Sequence, residues 1–154
     1  MNPILLSEKQ RIDSLFDRIS TLPIDEEFYA HWSRYLCVLI SGFIENAMRI
    51  LLTEYSKSKS HPNVSNYVSK QIKRITNLNI EKILQLLGSF DSEWRNVVEQ
   101  NITDAQKDAI DSIIANRHNI VHGRSVGITI HRVKNYYLST LAVIHTIESD
   151  CLSD

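Results

Sequence analysis

From Phe28 to Tyr55 the chain carries one unbroken apolar stripe. Phe28, Trp32, Tyr35, Leu36, Leu39, Phe43, Ala47, Met48, Leu51, Leu52 and Tyr55 recur at three- and four-residue steps. Such steps gather side chains on one side of an α-helix and scatter them over both faces of a strand, so the stripe requires a helix. Between Leu36 and Ile44 almost every position is apolar. A helix apolar on all sides must be enclosed by protein, either at the centre of a bundle or at a subunit interface. At 1.5 Å per residue it extends on the order of 40 Å. That is long for a chain of 154 residues, and it points to a homodimer. Gly42 within it offers a place where a second backbone can approach.

The remaining signals are also helical. Four glycines and three prolines are too few for the turns of an all-β fold. A first helix is expected after Ser7, with Ile12, Leu15, Phe16 and Ile19 on its buried face and Pro23 beyond its end. The polar segment from Lys57 to Ser60 reads as a linker. Pro62 suits the first turn of a third helix carrying Val64, Tyr67, Val68 and Ile72. Asn79 caps a fourth with Ile80, Ile83, Leu84 and Leu87, ended by Gly88. Asp91 caps a short element holding Trp94 and Val97. Thr103 and Gln106 form a capping box for a helix with Ala109, Ile110, Ile113 and Ile114 inside, stopping near Gly123. Thr129 caps the last helix, with Val133, Tyr137, Leu141, Ile144 and Ile147 on one side. The expected fold is all-α: a helical bundle with a long central helix, a single domain over residues 1–154.

A net charge of −1 announces no polyanionic partner. The charge is nevertheless uneven. Between Lys57 and Lys82 lie six cations and one acid, Glu81. This stretch is either a solvated face or a local phosphate-binding surface. Cys37 and Cys151 belong to no ligand-spaced pattern, which suggests reduced, buried thiols in a cytoplasmic protein. Glu8, Arg11 and Asp13 interrupt any secretory signal. The longest apolar run, broken by Ser41 and Gly42, is too short for a membrane span.

Chemistry concentrates in Arg117-His118-Asn119-Ile120-Val121-His122. Arg117 continues the buried stripe of Ile110, Ile113 and Ile114. A guanidinium there must either meet an acid or face a cleft. Glu45, bordering the apolar core of the long helix, is the attractive acid. His118 and His122 stand one turn apart. They could share a metal, although no third ligand sits at a readable spacing. Alternatively, imidazole can move protons near neutral pH while an arginine balances charge on a phosphodiester. RNA brings its own nucleophile, the 2′-hydroxyl, so that chemistry requires no metal or other cofactor. Arg124 and His131 repeat a similar spacing, but Gly127 breaks the element between them.

The segment resembles the signature of the HEPN superfamily, with Arg117 at the family arginine, His118 at the adjacent polar position and His122 at the family histidine. Phe43-Ile44-Glu45-Asn46-Ala47 resembles the corresponding helix of the RiboL-PSP-HEPN subgroup. The resemblance implies an all-helical homodimer with facing motifs and metal-independent RNA cleavage. Many family members are toxins or antiviral effectors, so a cognate antitoxin or regulatory protein becomes a possible partner. In this reading Arg117 and His122 are catalytic, His118 and Asn119 support them, and Glu45 orients Arg117. Lys70, Lys73, Arg74 and Arg124 contact RNA. HEPN toxins paired with nucleotidyltransferases carry a tyrosine two residues after the histidine, where this chain has Arg124, which argues against that route of silencing. The competing reading is a non-catalytic HEPN-like module that binds RNA, a nucleotide or a protein, as an antitoxin or regulatory subunit would. On an ideal helix Arg117 and His122 point about 140° apart, which favours a composite site built by two chains.

Overall fold

The computed structural model describes residues 1–23 and 25–153. Among them the architecture is all-α: α1 (Pro3–Thr21), α2 (Glu26–Lys59), α3 (Pro62–Ile72), α4 (Ile80–Phe90), α5 (Ser92–Asn101), α6 (Asp104–Val121) and α7 (Ile130–Ile147). A π-helical turn, Glu148–Leu152, extends α7. The central rod is α2, with α1, α3, α6 and α7 packed along it. Helices α4 and α5 pair with one another, α4 also meeting α6 and α5 meeting α7 and the π-helical turn after it.

Local chemistry explains most boundaries. Asp25, Asn79, Asp91 and Thr129 each turn a side-chain oxygen onto a free amide of the following first turn. Thr103 and Gln106 form the full reciprocal capping box. His61 caps α3 through Nδ1, and Pro62 fills its first position. Helix α1, by contrast, starts earlier than its apolar pattern indicates. Asn2 accepts from the Ile4 amide at 2.8 Å, Pro3 opens the helix, and Ser7 lies inside it. The segment Lys57–Ser60 is no linker, because α2 runs through Lys59. Its polar last turn is exposed, and cations there suit the negative end of the helix dipole. Gly88 likewise does not end α4, which continues to Phe90.

At 34 residues, α2 is about 51 Å long. By length and composition it could cross a membrane, but most of that apolar stretch is buried within the bundle. Leu36, Cys37, Ile40, Phe43 and Ile44 are each at most 1% exposed. Val38 and Leu39 of the same run are only partly buried and line a groove with Gly42, so the chain's own helices cover most of the run but not all of it. A Cβ at Gly42 would meet nothing within 4 Å, so no other described element of the chain crosses closely there.

Tyr137 ties three helices together. Its ring stacks on Phe16 of α1 at 5.6 Å and meets Phe43 of α2 edge-on at 6.4 Å. Its hydroxyl donates to Asp13 Oδ1 at 2.8 Å, so the buried polar tip is satisfied.

Both thiols are buried and unpaired. Burial pushes Cys37 from an ordinary 9.0 up to about 12, against a smaller opposing effect of the Arg117 amide. Burial, helped by Asp150 and Asp91, raises Cys151 to about 11. A thiol neutral in the fold but ionised in the unfolded chain stabilises the fold fully below pH 9. That contribution is lost as pH rises towards the folded values. Stability should therefore fall from about pH 9 upward by roughly 1.4 kcal/mol per pH unit for each thiol. Urea titrations of wild type and Cys37→Ala across that range check this; identical slopes in both proteins would contradict it.

Candidate active site at the end of α6

Helix α6 buries Ala109, Ile110, Ile113 and Ile114 against the bundle. Arg117 continues that stripe and is half-buried. Its Nη1 donates to Asn77 Oδ1 at 2.6 Å, a short, charge-assisted bond. Asn77 sits in the connection between α3 and α4 with φ +53°, the left-handed region. Its amide donates to Glu45 Oε1 at 3.0 Å. Among the described residues, therefore, Glu45 reaches Arg117 through Asn77 and not as a direct ion pair. Its second oxygen lies 3.6 Å from Arg49 Nη2, one turn along α2. That guanidinium also donates to the Ile75 carbonyl at 3.2 Å.

The helix ends as Gly123 demands. Gly123 takes φ +69°, its amide donates to Ile120 O at 3.1 Å, and the Arg124 amide donates to Asn119 O at 2.8 Å. Those two bonds form a Schellman stop, which needs a residue without a Cβ penalty at its left-handed position. His122 becomes the C-cap, and its ring lies 4.3 Å from that of His118. Both imidazoles are exposed. Arg124 folds back, donating to Asn119 Oδ1 at 3.2 Å. Val121, between the two histidines, is 62% exposed. The structure thus joins His118 with His122, Asn119 with Arg124, and Arg117 with Glu45 through Asn77. Among the described residues no hydrogen bond or ring contact joins Arg117 to His122.

A groove of about 370 Å³ runs beside the motif, lined by Asn77, Lys82, Asp111, His118 and Asn119 among others. Lys82 also borders a second groove, of about 460 Å³, that holds Arg74. Arg74, Lys82 and His118 therefore follow one another along the surface. Lys70 and Lys73 line neither groove. They lie exposed at the C-terminal end of α3, where cations also complement the helix dipole. A larger, mainly apolar groove of about 730 Å³ lies between α3 and α4 and touches no residue of the α6 motif. Among the described residues no three His, Cys, Asp or Glu side chains cluster as metal ligands.

Two members of this site escape the helical periodicity. Asn77 belongs to a turn, where Thr-Asn-Leu-Asn carries a turn signal but no hint of its partners. Lys82 reads as one more surface lysine until α4 is placed against α6.

A protein-family model described as RiboL-PSP-HEPN matches residues 4–153. No curated protein and no solved structure gives a match.

Proposed function

The chain belongs to the RiboL-PSP-HEPN family, and from that premise we propose that it is a metal-independent endoribonuclease acting through Arg117, His118 and His122. The observation that carries the reading is the end of α6. An arginine held by a neutral amide and two exposed imidazoles in contact lie within six residues, and one of those imidazoles, His118, lines a groove bordered by Lys82.

The reaction follows from these groups. The 2′-hydroxyl of RNA attacks the neighbouring phosphorus, and the bond to the 5′-oxygen of the next nucleotide breaks. A histidine takes the 2′ proton, and an imidazolium returns one to the departing oxygen. Arg117 balances the charge that builds on the non-bridging oxygens. The products are a 2′,3′-cyclic phosphate and a 5′-hydroxyl. Asn119 holds the turn after His122 through Arg124, while Lys70, Lys73, Arg74 and Arg124 supply phosphate contacts. A second copy of the chain, covering the exposed end of α6 around Val121, would bring one protomer's Arg117 to the other's His122. The corresponding cellular role is a toxin or antiviral effector restrained by an antitoxin or regulatory protein.

The test is incubation of purified protein with single-stranded RNA in excess EDTA, with the product ends analysed. Cyclic-phosphate termini are expected; intact RNA, or cleavage only when divalent metal is restored, would overturn the proposal. The exposed cations favour one second reading, a non-catalytic RNA-binding module. It predicts binding that depends on Lys70, Lys73 and Arg74 and is indifferent to His122.

A further inference from the structure

We infer that Asn77 is the positioning residue for Arg117, holding its guanidinium in place without cancelling its charge. The inference rests on the ribonuclease reading above for its kinetic consequence, but the contact itself stands on geometry.

Arg117 could have been fixed by an acid. Glu45 is near enough to bond the Asn77 amide at 3.0 Å, yet its carboxylate is turned to that amide and to Arg49. Asn77 bridges the two, its backbone amide on Glu45 and its neutral carboxamide on Arg117. Its oxygen receives Arg117 Nη1 at 2.6 Å. A direct carboxylate partner would neutralise the guanidinium in a half-buried site and weaken its attraction for phosphate. An amide oxygen orients the group and leaves the full positive charge for a substrate.

The backbone makes this arrangement possible. At φ +53° the amide of Asn77 is directed to α2 while the side chain is directed to α6. Residues with a Cβ rarely adopt that region; asparagine and aspartate enter it most readily. Position 77 thus calls for a left-handed residue with a neutral acceptor at the end of a short side chain, and asparagine meets both needs. Lys82, His118 and Asn119 line the adjoining groove with Asn77, so Arg117, which does not itself line it, is tied to the groove through its bond to Asn77.

The test compares Asn77→Gly and Asn77→Asp in the full chain. Glycine accepts the backbone and deletes the acceptor. It should lower kcat for RNA cleavage roughly tenfold to a hundredfold with KM changed less than about twofold. The side-chain N–H signals of Arg117 in NMR should lose their protection. Aspartate keeps an acceptor but adds a charge, so those signals should stay ordered while kcat falls between wild type and glycine. Wild-type kcat in Asn77→Gly, with Arg117→Ala inactive, would overturn the inference and leave the ribonuclease reading standing. An inactive wild type would sink that reading instead, and the Arg117 signals would then decide the contact alone. Should the glycine variant fail to fold, the aspartate variant decides: ordered signals with reduced kcat support the inference, and disordered signals overturn it.

Discussion

His122→Ala is expected to slow cleavage of single-stranded RNA by roughly 10²- to 10⁴-fold, the usual worth of a positioned proton-transfer group. Arg117→Ala should cost about 10²- to 10³-fold, chiefly in kcat, because its charge is needed most when the phosphorus is five-coordinate. His122 caps α6 and is exposed, and Arg117 is only half-buried, so both variants should fold. The two inactive proteins, mixed, also report on assembly. If Arg117 and His122 act across a dimer, a mixed dimer contains one site with both groups intact, and activity returns. If each protomer uses its own pair, the mixture stays dead. Wild-type rates in both single variants would remove the ribonuclease assignment altogether.

Tyr137→Ala should be among the most destabilising single changes, on the order of 3–5 kcal/mol. The ring is 1% exposed, stacks on Phe16, meets Phe43 edge-on and bonds Asp13. Removing it opens a cavity where α1, α2 and α7 meet. Tyr137→Phe keeps the rings packed and deletes only the hydroxyl, so about 1 kcal/mol is expected. Urea unfolding of the two variants separates packing from hydrogen bonding. Equal losses would show that the Asp13 bond, and not the ring, dominates.

Much of the fold is legible in the sequence. Long runs at helical spacing located α2, α6 and α7, and the caps at Asn79, Asp91, Thr103 and Thr129 fell where side-chain oxygens meet free amides. The misreadings share a cause. Ser7, Lys57–Lys59 and Gly88 carry local signals for helix ends, but a helix continues through each: at Ser7 and Gly88 buried neighbours still pack, and at Lys57–Lys59 an exposed last turn persists. At the site, periodicity correctly set Arg117 on the inward face of α6. It could not show what Arg117 meets, because the partner sits in an irregular turn forty residues away. The pairing expected with Glu45 was right about the acid's neighbourhood and wrong about the contact, since Asn77 stands between them.

Helix α3 is attached differently from the rest. It packs on α2, buries only Ser65 and Ile72 of its eleven residues, and leaves Val64 and Tyr67 more than half exposed beside an open groove. Hydrogen exchange should find its amides among the first to lose protection, because little apolar surface must be uncovered to open it. In kinetic terms α3 is the element whose opening costs least, while Arg49 on the Ile75 carbonyl and Glu45 on the Asn77 amide anchor the connection that follows Lys70, Lys73 and Arg74.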